Sequence, residues 1–132
     1  MDKDFGLLLE KAIVLSKQKR TLNEYSKIAT TGCALLTEKG NIYTGISISI
    51  VCSIGFCAEH AAIAEMLKNE ETRIIKIVSA SDEKGIRPPC GRCREFIRLI
   101  DSNNFDTQVL ISKDRIMKLS ELLPEPFFKY MQ

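Results

Sequence analysis

The chain has no tryptophan, one histidine and four prolines. It has no apolar stretch of bilayer-spanning length. It also lacks charge of a dominant sign: 19 lysines and arginines face 17 aspartates and glutamates, leaving a net charge of +2. That near-balance, without a basic arm or a long like-charge block, removes the electrostatic reason to expect nucleic acid as the main partner. The start, Met1-Asp2-Lys3-Asp4, is charged, and Glu10 and Lys11 interrupt the apolar residues behind it. It therefore does not read as a signal peptide, and a soluble, cytoplasmic protein with no membrane contact is expected. Five cysteines without a secretory signal argue against a disulfide framework. Internal repeats, linkers and low-complexity segments are absent as well. With 45% hydrophobic residues in 132, residues 1–132 are expected to form one domain.

What is present concentrates in two stretches, Cys57-Ala58-Glu59-His60 and Pro89-Cys90-Gly91-Arg92-Cys93. Thiolates are strong zinc ligands, and three of them leave the fourth tetrahedral position open to water. Zinc lowers the pKa of that water toward neutrality. Glu59, two residues after the first cysteine, is the candidate for moving protons as a carboxylate that is not itself a ligand. Both stretches read as helix starts. Cys57 opens the apolar run Ala58–Leu67, and Pro89 precedes Cys90 and the segment Cys93–Ile100. Helix N-termini favour negative charge and lower cysteine pKa. Three thiolates around one Zn²⁺ leave a net negative charge, which two converging N-termini and Arg92 or Arg94 would offset. Cys33 reads as a small core residue and Cys52 as a packing or pocket-wall residue.

Along the chain, apolar periodicity predicts a helix over Asp4–Lys19, with Asp4 as N-cap. Arg20–Thr31 has no clear period and reads as loop. Gly32–Thr37 and Ile42–Ser49 read as a hairpin around the turn Glu38-Lys39-Gly40-Asn41. A first site helix is expected over Ala58–Glu70, its alanines suggesting close packing. Ile74–Ala80 reads as a strand and Ser81–Pro88 as a polar loop. Gly91–Ile100 is the second site helix, and Asp101–Thr107 another polar loop. Gln108–Ser112 and Ile116–Lys118 read as strands. A short turn of helix capped by Ser120 ends at Pro124. Strands alternating with helices predict an α/β fold, a three-layer α-β-α sandwich around a mixed sheet of about five strands.

These residues resemble the cytidine deaminase superfamily. Cys57-Ala58-Glu59 matches its C-A-E motif, and Pro89-Cys90-x-x-Cys93 its P-C-x-x-C motif. Tyr25-Ser26-Lys27 followed by Gly32-Cys33-Ala34-Leu35-Leu36 resembles its Y-S-K-F-x-V-G-A-A-L-L region, and Glu121-Leu122-Leu123-Pro124 its terminal E-L-L-P. The resemblance implies one Zn²⁺ per chain on Cys57, Cys90 and Cys93, with Glu59 as proton shuttle. It also implies hydrolytic deamination at C4 of a cytosine-type ring in a free nucleoside, and a homotetramer.

By the same resemblance, Ser47, Ser49 and Ala58 are candidate substrate contacts, together with the C-terminal Phe127 and Phe128. His60, Arg92 and Arg94 are candidates for supporting the thiolates.

The chain departs from the family pattern in places. Ser47 and Ser49 stand where the family's sugar-binding N-x-E pair is expected, Ile28 or Ala29 replaces a pocket phenylalanine, and His60 replaces an arginine. Cys90-Gly91-Arg92-Cys93-Arg94 is also similar to the blasticidin S deaminases, which makes them the alternative for substrate. A non-catalytic alternative is a closed structural zinc site in which His60 fills the fourth position.

Overall fold

The computed structural model describes residues 1–130. Helix α1 (Lys3–Ser16) leads to β1 (Arg20–Asn23), β2 (Ser26–Thr37) and β3 (Ile42–Ile50). Then come α2 (Ala58–Lys68), β4 (Ile74–Ser81), β5 (Gly85–Ile86) and α3 (Gly91–Ile100). The chain closes with β6 (Gln108–Ser112), β7 (Arg115–Lys118), α4 (Leu119–Leu122) and a 3-10 turn, Phe127–Tyr130. Five strands lie side by side in the order β3-β2-β4-β6-β7; β4 and β6 are parallel and the other three neighbouring pairs antiparallel. Two short strands add to the expected five. β1 pairs with the start of β2 and β5 with the end of β4.

Side chains alternate across the sheet, so consecutive residues feed two cores. Cys33 and Leu35 of β2, Ile77 of β4 and Val109 of β6 face α2 and α3, where they meet Ala62, Ile63, Met66 and Ile97. Ala34, Val78, Ala80 and Leu110 face the other way, onto Phe5, Leu8 and Ala12 of α1. This is the three-layer sandwich. Each large side chain buried here contributes about 1.5–3 kcal/mol. Two glycines set the layer spacing. A Cβ on Gly32 would lie 2.2 Å from the Ala12 carbonyl oxygen in α1. On Gly45 it would lie 2.5 Å from the Ala62 nitrogen in α2.

Several expected boundaries are corrected. Asp2, not Asp4, caps α1: its Oδ1 accepts from the Phe5 N–H at 2.8 Å. Arg20–Thr31 is not loop. It holds β1 and the start of β2, which bulges between Ile28 and Gly32, where Ala29 takes φ 60°. The short helix begins at Leu119 after Lys118, and Ser120 lies inside it. The Glu121 carboxylate, rather than Ser120, accepts a bond at that start, from the Lys118 N–H. Among the described residues no helix is long and apolar enough to cross a membrane.

The sheet order fixes the place of the two motifs. β3 and β4 both run antiparallel to β2, so they point the same way, and Gly32 pairs with Ile46 on one side and Ala80 on the other. Their C-terminal ends share one edge of the sheet, and α2 and α3 both begin there.

Candidate metal centre and active site

Each motif stands at a helix start. Cys57 is the N-cap of α2, and Cys90 is the N-cap of α3 with Cys93 in its first turn. The chain reaches Cys57 by folding back on β3. Ile48 and Phe56 exchange backbone hydrogen bonds at 2.9 Å, and Gly55 passes so close to the Ile48 carbonyl that a Cβ would lie 1.9 Å from its oxygen. Cys52 and Ser53 complete this turn with φ of 64° and 57°. Cys52 is exposed and lines no wall of the site, contrary to its expected packing role; Cys33 is fully buried in β2 as expected.

The sulfurs of Cys57, Cys90 and Cys93 lie within 4.8 Å of one another and form a group able to hold a metal ion. Tetrahedral zinc with Zn–S bonds of about 2.3 Å holds sulfurs about 3.8 Å apart, so the donor set fits zinc in both chemistry and spacing. Burial pushes the Cys57 thiol up. Burial and then the Glu59 carboxylate push Cys93 well up. Burial also acts against the Cys90 thiolate. The backbone N–H groups of Cys93 and Arg92 outweigh it and hold that thiol below its ordinary value. This is the helix-start effect expected from the sequence. A bound cation would reverse the repulsion at Cys93.

Glu59 is 5% exposed. Its Oε1 accepts from the Ser79 hydroxyl on β4 at 2.5 Å, and its Oε2 accepts from the Cys93 thiol at 3.2 Å. His60 reaches Cys93 Sγ with Nδ1 at 3.5 Å and stacks on Phe96 at 4.6 Å. It lies outside the three-thiol group, an arrangement that does not favour the closed Cys3His site. Burial, helped by the Arg92 charge, holds His60 below the ordinary histidine range. Arg92 is exposed. Arg94 spends its hydrogen bonds on carbonyls instead of sulfur: Nε donates to Pro89 at 2.8 Å and Nη1 to Leu122 at 3.2 Å. It thus ties the approach to Cys90 to the end of α4.

A pocket of about 200 Å³ opens beside the thiols, walled by Thr31, Ser47, Ala58, Glu59, Arg87 and Pro88 with Cys57 and Cys90. A larger cleft, about 400 Å³, lies along α1 between Leu7, Val14 and Thr44. It gathers no thiol and no buried carboxylate, so chemistry and not size assigns the site. Ser47 and Ala58 are in the pocket. Ser49 is not: it lines a separate surface cleft with Tyr25 and Val51. Phe127 and Phe128 are not in the pocket either. Phe127 N–H donates to Glu95 Oε1, and Phe128 lies against Arg98, 3.8 Å from its guanidinium carbon, on the same chain's α3.

A family model for the cytidine and deoxycytidylate deaminase zinc-binding region matches residues 7–106. The chain belongs to that family. It is 31% identical over 126 residues to the cytidine deaminase of Sporosarcina psychrophila, covering 92% of each chain. It is 28% identical over 105 residues to the cytidine deaminase of Mycobacterium tuberculosis, covering 78% of this chain and 75% of that one. The crystal structure of cytidine deaminase from Mycobacterium tuberculosis matches with a TM-score of 0.78 at 22% identity, covering 96% and 98% of the two chains. The fold and family expected from the motifs are therefore borne out, and the zinc expected at the thiols accords with a family defined by its zinc-binding region.

In this member of the deaminase family, Ser79, Thr31, Arg87 and Pro88 were not singled out by sequence. Ser79 sits in a largely apolar strand, where a serine has no distinguishing pattern. Arg87 and Pro88 precede the motif in a loop without period. Their place next to Pro89-Cys90 was the available signal.

Proposed function

We propose that the chain is a zinc-dependent hydrolase that replaces the exocyclic amine of a cytosine-type ring in a small-molecule nucleoside, releasing ammonia. The observation that carries this is the buried Glu59 carboxylate beside three mutually close thiols, at the floor of a pocket. Family membership supports the reaction type. On this reading Cys57, Cys90 and Cys93 hold the zinc, which supplies an activated water near neutral pH. Glu59 would take one proton from the attacking water and pass it to the ring nitrogen, then carry the remaining hydroxyl proton to the leaving amine, so that both protons of the water are accounted for as ammonia departs. Ala58 and Ser47 wall the ring's pocket. His60 supports the Cys93 sulfur, and Arg94 holds the backbone that presents Cys90. The relatives named above are cytidine deaminases, so cytidine or deoxycytidine is preferred over a blasticidin-type substrate.

The same reading takes residues 1–132 as one domain, built on a single sheet. It takes the protein as cytoplasmic, a reducing setting that suits five free cysteines. A homotetramer would cover the exposed Leu22, Tyr25, Val51, Ile54 and Phe56 near the site's edge of the sheet. The test is ammonia release by the zinc-loaded protein with cytidine and deoxycytidine. Glu59→Ala should keep the metal and lose at least about a hundredfold in turnover. Undiminished release by that variant would overturn the assignment.

A further inference from the structure

We propose that Cys33 is a positioning residue for the reaction: its thiol donates a hydrogen bond to Ser79 Oγ and so aims the hydroxyl that holds the Glu59 carboxylate. This rests on the deaminase reading and deepens it. Cys33 on β2 and Ser79 on β4 are direct partners across an antiparallel pair. Such partners point to the same face of the sheet, with Cβ atoms about 4.5–5.5 Å apart. The face is the one that α2 covers. Cys33 shares a core cluster with Ala58 and Ala62 of that helix, and Ser79 reaches Glu59 on it. All three side chains are shut away from water: Cys33 is 0%, Ser79 1% and Glu59 5% exposed.

A serine hydroxyl has one hydrogen and two lone pairs. The hydrogen of Ser79 is committed to Glu59 Oε1 at 2.5 Å. Among the described residues no N–H or O–H group donates to the Ser79 oxygen in return. Its lone pairs are buried with it, and a buried polar atom gains from every partner it can find. The Cys33 S–H is the donor that the strand register sets opposite. That thiol is free for the task, since it stands outside the three-thiol metal group and forms no disulfide. Burial and then the Glu59 carboxylate push it well up, against the Ser79 hydroxyl acting to lower it. It therefore stays protonated, a donor and not a nucleophile. The outcome is a buried chain, thiol to hydroxyl to carboxylate, ending on the group assigned to move protons. An S–H group is a weak donor, so its part is to select one rotamer of Ser79 and not to hold the layers together.

The test uses the zinc-loaded full chain. Cys57, Cys90 and Cys93 are then bound as thiolates, so with Cys52→Ser the Cys33 thiol is the one S–H group left. Its infrared S–H stretching band should lie at the low frequency of a hydrogen-bonded thiol and move to higher frequency in Ser79→Ala. In steady-state kinetics with cytidine, Cys33→Ala should lower kcat about three- to tenfold, with KM and zinc content close to their original values. Cys33→Ser keeps a donor and should recover most of that loss. In a Ser79→Ala background, Cys33→Ala should change kcat by less than about twofold further. A band untouched by Ser79→Ala, or losses that multiply in the double variant, would overturn the inference and leave the deaminase reading intact. A fall in kcat matched by a fall in zinc content or Tm would also overturn it, making Cys33 a packing residue alone. If no cytosine compound reacts, the deaminase reading fails, and the infrared band alone decides whether Cys33 holds Ser79.

Discussion

Ser79 donates its hydroxyl hydrogen to Glu59 Oε1 at 2.5 Å, across the interface between β4 and α2. Both groups are buried, so water does not substitute readily for either. The bond fixes the rotation of a carboxylate whose other oxygen faces Cys93. Ser79→Ala should retain zinc, leave KM close to its original value and lower kcat about tenfold. Ser79→Thr should restore part of it. Steady-state kinetics with metal analysis checks this; loss of zinc in step with activity would show that Ser79 serves the cage instead.

His60→Ala should keep its metal. The histidine touches one sulfur and stands outside the group that the three thiols form. Zinc content after exhaustive dialysis is the measurement. A stoichiometry that falls from one per chain in this variant would identify His60 as a fourth ligand and the centre as structural.

Gly45→Ala should destabilise the fold by about 1–3 kcal/mol. The added methyl meets the Ala62 nitrogen at 2.5 Å, the Ala58 oxygen at 2.6 Å and the Ala61 Cβ at 2.6 Å. Two of these are backbone atoms, so the helix itself must move. Because α2 carries Glu59 and follows directly from Cys57, activity should fall by more than the unfolded fraction accounts for. Urea unfolding alongside kinetics separates the two effects.

Asn104→Ala should cost roughly 3 kcal/mol. Asn104 is fully buried. Its Oδ1 accepts from the Ile74 N–H at 2.9 Å, and its Nδ2 donates to the carbonyls of Thr72 at 3.0 Å and Ile97 at 2.9 Å. Its loss strands three backbone groups at the junction of β4 and α3. A lowered urea midpoint at unchanged slope is the expected signature.

Lys76 joins Asp2 and Asp4 at the start of α1, at 3.3 and 2.9 Å. The Phe5 N–H, followed by Lys76, holds Asp2 below its ordinary value of 3.8. Hydrogen bonding to Asp4 and then Asp2 holds Lys76 above 10.5 despite burial. The Asp2 contribution is complete above the ordinary carboxylate value and is lost as pH falls through the lower folded value. The Lys76 contribution is complete below 10.5 and is lost as pH rises through the higher folded value. Both aspartates are about half exposed, so solvent screening limits the cluster to about 0.5–1 kcal/mol. Lys76→Met should lower Tm slightly at neutral pH, and the gap should narrow in acid.

The metal centre was legible because its chemistry restricts the residue types. Few arrangements other than a zinc cage place Cys-x-Glu and Pro-Cys-x-x-Cys at two helix starts. The layers were legible through Ile74–Ala80 and α1, where burial imposes periodicity. Arg20–Asn23 was not, because all four residues of β1 are exposed and no alternation marks them. Asn104 and Thr107 sit in a segment that reads as surface loop, yet both are fully buried to satisfy backbone groups of distant elements. The Asp2 cap was misplaced by two residues because Asp2 and Asp4 are chemically interchangeable in sequence. Ser49 shares the alternation of Ser47, but the bulge at Ala29 breaks the register beside them, and strand parity no longer predicts which cleft each lines.

The shared direction of β3 and β4 gives the site a division of labour that mutation can exploit. The thiols and Glu59 belong to two helix starts locked onto the sheet, whereas Thr31 and Ser47 lie within β2 and β3, and Arg87 and Pro88 in the loop before α3. Residues of the second kind can be exchanged without rebuilding the first. A lineage can therefore drift from one sugar or charge state to another while its reactive centre stays constant, and the loop holding Arg87 is where such drift would leave its earliest trace.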